Sequence, residues 1–300
     1  MVAATVAVGC GNTENVLTSG AVPNEPPPVD VRAALAPEAQ RFALVLAEQV
    51  LISECMQERG FKYDVISPAD LDTSNRWNRL EDVYRFGPSP DDDGKDFGVV
   101  AALETAEESS PDPSDEATST MTQTQRDAWF AAFIGQSSET YSYTDPETGI
   151  NFETPVDGCT SIARIDIYDD FASYLRYSSF SLQFADTVYA AVESDPAYIE
   201  VQAAWQECMR ELGSDLSQPS AAIGEIFVAL SNPTRSVASI RDQERENYTL
   251  ARTCVEKVDI HATGWLLVPE TVSASLDNER EGVDAYRAAI TRAESILESR

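Results

Sequence analysis

Glu54-Cys55-Met56-Gln57-Glu58-Arg59-Gly60 recurs as Glu207-Cys208-Met209-Arg210-Glu211-Leu212-Gly213, with five matches in seven positions. In each copy the cysteine stands five residues before a glycine. Glycine adopts the left-handed backbone at little cost, so it is placed to stop a helix. Upstream of the first copy, Phe42, Val45, Leu46, Ile52 and Met56 recur mostly at three- and four-residue steps, and Leu44, Leu51 and Cys55 widen that face. With Pro37 suited to a first turn, the spacing predicts a helix over 37–59 near the domain centre. A word repeated with its cysteine favours two weakly related halves, 37–193 and 194–300, within a helical domain 37–300.

Two further cysteines follow the repeated words, Cys159 after the first and Cys254 after the second. Four cysteines in an exported domain imply two disulfides, with three connectivities open. Cys55–Cys159 with Cys208–Cys254 is preferred, because each helix end is then joined to its own downstream helix. Closing the roughly 47-residue loop of the second pair restricts the unfolded chain by about 4 kcal/mol, and the longer first loop slightly more. Zinc is disfavoured: no pair has CxxC spacing, and His261 is the only histidine.

The chain has 51 acidic and 21 basic residues, a net charge of −30 and a pI near 4.1. Only Lys62, Lys95 and Lys257 are lysine; the other basic residues are arginine. Such a surface repels phosphate backbones, which argues against nucleic acid as a partner.

From Cys159 onward the pattern is helical, with segments at about 159–192 (broken near 171–181), 196–212, 220–230, 234–262 and 269–298, bounded by Pro196, Gly213, Pro219, Pro233 and Pro269. Thr122 caps a helix to Ile134. The segments Tyr141–Tyr143 and Ile150–Phe152 flank a turn at Asp145–Gly149, predicting a small β-hairpin near 141–153. A short strand over Phe61–Ile66 and a helix over Asn75–Phe86 are expected. Residues 87–120, rich in Pro, Ser, Asp and Glu, read as a disordered acidic loop. The fold class expected is mainly α, disulfide-stapled, with that one hairpin.

The first ten residues form an apolar run ending in Ala7-Val8-Gly9-Cys10. This resembles the lipobox of bacterial lipoproteins, although Ala7 stands where leucine is usual and no basic residue precedes the run. It implies a signal remnant over 1–10 and acylation at Cys10. Residues 11–36, with Pro26-Pro27-Pro28, then read as a proline-rich spacer. Removing Cys10 also leaves an even set of cysteines. The string Cys55-Met56-x-x-x-Gly60-Phe61-x-Tyr63 resembles a family of uncharacterised exported lipoproteins of high-GC Gram-positive (actinobacterial) bacteria. So do the Gln125–Gly135 helix before Gly158-Cys159, the run Trp205–Met209, and Leu250-Ala251 ahead of Cys254. The similarity is carried by sparse positions over most of 37–298 and departs from the family pattern at Thr253 and Ser214. It implies export, helicity and disulfide pairing, and it implies no catalytic residue.

Catalytic constellations are scarce. His261 has no GxSxG elbow to serve, no lysine has serine three residues before it, and Walker and GxGxxG loops are absent, so no cofactor is expected. Asp91-Asp92-Asp93-Gly94 has the start of a calcium loop, but the twelfth position is Val100. Asp166, Asp169 and Asp170, with Tyr168 and Tyr174 as sugar platforms, are the best carboxylate cluster; a solvated helix face is the expected reading. The sequence therefore points to a non-enzymatic envelope lipoprotein, tethered to the membrane by Cys10 on its extracytoplasmic face, binding an envelope protein or glycan. The alternative is a carboxylate-dependent secreted hydrolase acting on envelope glycans.

Overall fold

The computed structural model describes residues 30–65, 76–107, 118–145 and 149–300. The Cys10 lipobox, residues 11–29 of the expected spacer, residues 108–117 of the acidic stretch and Ile66 lie outside the described residues. Helices dominate: α1 (Glu38–Glu58), α2 (Arg76–Val83), α3 (Val99–Glu107), α4 (Gln123–Ile134), α5 (Cys159–Tyr168), α6 (Phe171–Tyr177), α7 (Phe180–Glu193), α8 (Pro196–Glu211), α9 (Pro219–Leu230), α10 (Val237–Lys257), α11 (Ile260–Asn278) and α12 (Arg280–Glu298). The hairpin pairs β1 (Thr140–Thr144) antiparallel to β2 (Asn151–Pro155), with Ser142 opposite Glu153.

Both repeated words end their helices in the same way. Gly60 and Gly213 sit at φ +84°. Phe61 N–H donates to the Met56 carbonyl at 2.8 Å and Gly60 N–H to Gln57 at 2.9 Å; Ser214 and Gly213 repeat this on Met209 and Arg210 at 2.9 and 3.0 Å. These are two Schellman caps, which satisfy carbonyls that a helix end leaves open. Met56 and Met209, at the turn that each cap closes, are fully buried. Burying such a side chain contributes about 1.5–3 kcal/mol.

Both expected disulfides are present. Cys55 is joined to Cys159 with Cα atoms 5.6 Å apart, and Cys208 to Cys254 at 5.7 Å. Their partners occupy opposite helix ends, since Cys159 opens α5 whereas Cys254 lies in the last turn of α10. The likeness between the halves is thus strongest at the capped helix end. Residues of both halves share one hydrophobic core, in which α1 packs along α5 and α12, and α7 along α11.

Four expectations are corrected. Residues 31–36 are not spacer: Val31–Ala34 form a 3-10 turn, and Val31 and Leu35 are buried. Arg287 Nε and Nη2 donate to the Leu35 and Ala34 carbonyls at 2.8 and 2.9 Å, satisfying the end of that turn. The acidic stretch 87–120 is not disordered throughout, because Val99–Glu107 is helix α3. Its first two N–H groups, on Val99 and Val100, donate to the buried Glu244 carboxylate at 2.6 and 3.3 Å. A carboxylate at a helix N-terminus satisfies open donors and meets the positive end of the dipole. Residues 61–65 are not a strand; their carbonyls are taken up by side chains, Tyr63 by Ser53 Oγ at 2.8 Å and Lys62 by Trp129 Nε1 at 3.2 Å. Finally, Pro269 lies inside α11, and the breaks fall instead at extended Val258 and at Glu279, which divides the expected helix 269–298. The missing N–H is tolerated where Trp265 and Val268, both fully buried, fix that helix to the core.

A methyl group added at Gly60 or Gly213 meets nothing within 4 Å, whereas at Gly264 it would lie 2.3 Å from the Phe86 ring. Gly60→Ala and Gly213→Ala should therefore each cost about 1 kcal/mol, through left-handed strain alone. Gly264→Ala should cost about 1–3 kcal/mol through overpacking. Urea unfolding of the three variants tests this order; equal losses at all three positions would contradict it.

Candidate functional site

The N-terminal half of α1 forms one wall of a cavity of about 610 Å³. Helix α1 supplies Glu38, Arg41, Phe42, Leu44, Val45 and Glu48, and the N-terminal turn supplies Asp30 and Arg32. Opposite stand Asp82 and Val83 of α2, Arg164 and Tyr168 of α5, and Tyr174 of α6. Ser178, Ser179, Ser181 and Leu182 continue the lining, with Trp265 of α11 and Tyr286 of α12. Val45, Val83 and Leu182 are exposed, while Trp265 and Tyr286 are buried. The cavity is thus apolar at several exposed positions and aromatic at its most buried ones, a common form for a ligand site.

Its charges come in pairs. Arg32 makes a two-pronged ion pair with Asp82, the two side chains being 13% and 16% exposed. Arg41 donates from Nη2 to Asp30 at 2.8 Å and from Nη1 to the Ala36 carbonyl at 2.8 Å. Arg164 Nε donates to Glu48 at 2.9 Å, and its guanidinium lies 4.5 Å from the Tyr174 ring centroid. Three arginines therefore stand against four carboxylates in a molecule that is otherwise strongly acidic. Guanidinium suits this work because its planar fork holds a carboxylate in a fixed orientation.

Burial pushes the Asp82 carboxyl up to about 6, against the lowering effect of Arg32; the charge of Asp30 adds to the rise. Burial likewise raises the hydroxyls of Tyr168, Tyr174 and Tyr286, with the Glu48 charge reinforcing it at Tyr168 and Tyr174. These phenols stay neutral and able to donate around neutral pH. Two residues of the lining each have a fully buried donor, Arg32 Nε and Trp265 Nε1, with no hydrogen-bond partner among the described residues. An unmade buried hydrogen bond costs about 1–3 kcal/mol, a cost that the surrounding packing has to offset.

The expected carboxylate cluster divides. Asp166, Asp169 and Asp170 are exposed. Asp169 pairs with Arg292 at 2.8 Å, and Asp170 caps α6 by accepting from Ser173 N–H at 2.7 Å. Their neighbours Tyr168 and Tyr174 do line the cavity, edge to face with centroids 5.5 Å apart. His261 is buried, its Nδ1 2.8 Å from the Gly87 carbonyl, and belongs to the packing. Asp92 Oδ1 accepts from Gly94 N–H at 2.8 Å and Oδ2 from Tyr84 at 3.2 Å, closing a turn. Among the described residues no group of three His, Cys, Asp or Glu is arranged to hold a metal ion. Arg32, Asp82 and Trp265 were missed because no local pattern joins them; only tertiary packing does.

No protein-family model matches the sequence, and neither a curated protein nor a solved structure matches it.

The Asp82 carboxyl binds its proton more tightly in the folded state, near 6, than its ordinary value of 3.8. Its contribution to stability is therefore full below about pH 4 and is lost as pH rises through about 6. The unfolding free energy of the wild type minus that of Asp82→Asn should fall by up to about 3 kcal/mol between pH 4 and pH 7. Urea titrations at both pH values check it; a difference independent of pH would refute the assignment.

Proposed function

We propose that this chain is an exported envelope lipoprotein, acylated at Cys10, whose disulfide-stapled helical domain is a non-enzymatic binding module holding its ligand in the α1 cavity. The cavity carries the reading. Its size falls within the range of small-molecule sites, its lining mixes aromatic and polar groups, and three of its carboxylates are held by arginine. A carboxylate fixed in an ion pair is a preorganised acceptor rather than a free nucleophile. Export is supported by the Ala7–Cys10 sequence, by the odd fifth cysteine and by two disulfides, which persist in oxidising compartments. Residues 11–29 would allow the domain to stand at most about 65 Å from its lipid.

One observation favours the hydrolase reading. Asp82, at about 6, lies in the range of a general acid, and Glu48 lines the same cavity. Release of new reducing ends from envelope glycan, abolished by Asp82→Asn, would favour that activity over binding alone.

Two outcomes are expected of the binding lipoprotein. Cys10→Ser should move the protein from the membrane to the soluble fraction and remove the mass of the acyl chains; unchanged mass and partition would exclude the anchor. Native mass spectrometry of the protein taken from its own envelope should show a bound species, lost when Val45→Trp fills the cavity edge. A wild-type mass with nothing bound would count against the binding site.

A further inference from the structure

We infer that the outer edge of β1 joins two copies of this chain. Their β1 strands pair antiparallel about a two-fold axis that passes between the two Ser142 residues. The inference is independent of the α1 cavity and starts from the register of the hairpin. Val156 N–H donates to the Glu139 carbonyl at 3.1 Å and Asp145 N–H to Ile150 at 2.9 Å, so the odd-numbered residues of β1 are the ones bonded to β2. In an antiparallel ladder the alternate residues turn their N–H and carbonyl groups outward. On β1 these are Thr140, Ser142 and Thr144, all exposed, and their backbone groups find no partner elsewhere among the described residues. Helix α6 meets the strand from one face. The Tyr141 ring lies 6.4 Å from that of Phe171, and Arg176 Nε donates to the Tyr143 hydroxyl at 3.0 Å. Both tyrosines point to that face, so α6 holds the strand through its side chains and not through its edge.

The sequence of the edge selects the occupant. Thr140-Tyr141-Ser142-Tyr143-Thr144 reads the same in both directions. Paired with itself, it sets Thr140 opposite Thr144 of the partner subunit, Tyr141 opposite Tyr143 of the partner subunit, and Ser142 opposite Ser142 of the partner subunit. Aromatic and hydroxyl pairs of this kind stabilise neighbouring strands, and one patch serves both copies, as a two-fold interface requires. Charge sharpens the choice. Copies with a net charge of −30 repel each other, and like charges directly opposite weaken a strand pair. Strand β1 carries no charged residue and no proline, so it lacks the residues that usually guard a free edge. The outer edge of β2 is guarded. Its outward residues are Asn151, Glu153 and Pro155, the last without an N–H, and self-pairing about Glu153 would set two carboxylates together. Joining at β1 gives a four-stranded sheet in the order β2, β1, β1, β2. In it Phe152, 40% exposed in one copy, continues a row through Tyr143 to Tyr141 of the partner subunit. Two strands alone are marginally stable, which the wider sheet relieves.

The test uses the full chain carrying Cys10→Ser, so that neither a lipid nor a fifth cysteine enters the measurement. Sedimentation equilibrium should show a dimer with a micromolar Kd. It should tighten about tenfold as salt rises from about 50 to about 500 mM and the acidic repulsion is screened. Ser142→Glu, which sets two carboxylates across the axis, should weaken the dimer about tenfold or more. Adding Ser142→Lys should recover the Glu variant into a mixed dimer. Ser142 is exposed, so the change leaves the core alone, and a variant that had merely misfolded would not be recovered by mixing. A monomer at every concentration and salt would overturn the proposal. So would a dimer that Ser142→Glu leaves intact, which would use another surface, and so would a loss that Ser142→Lys does not rescue.

Discussion

The register of α1 against α5 is the constraint on which the rest of the site depends. Cys55 near the end of α1 is bonded to Cys159 at the start of α5, and the two helices pack side by side. Moving two turns back along α1 and somewhat more than one turn forward along α5 brings Glu48 and Arg164 together at 2.9 Å. That pair places the Arg164 guanidinium over Tyr174 and leaves Tyr168 in the cavity wall. A shift of α1 by one residue would rotate its face by about 100° and remove Glu48, Arg41 and Val45 from the cavity together. The Schellman cap at Gly60 and the disulfide therefore act on one problem from two sides. The first fixes where the helix stops, and the second fixes what the stop is joined to.

Around this fixed pair the molecule relies on long-range polar ties. Glu244 starts α3 from 145 residues away. Arg287 holds the N-terminal turn from 252 residues away, and Arg292 donates to the Ile167 carbonyl at 2.6 Å. Each tie satisfies backbone groups that neither local partners nor, in buried places, water would reach. A largely helical fold gains its cohesion in this way where helix ends meet the core.

This pattern explains what was legible in the sequence. Elements whose signals are local were readable: α1 with its glycine stop, α4 with its Thr122 cap, and the hairpin; the preferred cysteine pairing followed from the repeated word. Elements whose determinants are distant were not. Helix α3 is nine residues long and depends on Glu244, so its acidic, proline-flanked setting gave no helical cue. Pro269 carries the signal of a boundary, but the burial of Trp265 and Val268 outweighs it. At the site, Tyr168 and Tyr174 line the cavity, whereas Asp166, Asp169 and Asp170, read together with them, lie outside its lining. Arg32, Asp82 and Trp265 come from three remote segments and meet only in the fold.

The choice of arginine has a practical consequence for finding a partner. The ion pairs that build the cavity all use guanidinium, while the three lysines, Lys62, Lys95 and Lys257, are exposed and lie outside its lining. Amine-reactive crosslinkers will thus find few handles on this protein and none on the cavity wall. Reagents that activate carboxyl groups meet a surface crowded with targets, including Asp30 and Glu38 beside the cavity. Covalent capture of whatever touches this face is a problem in carboxylate chemistry.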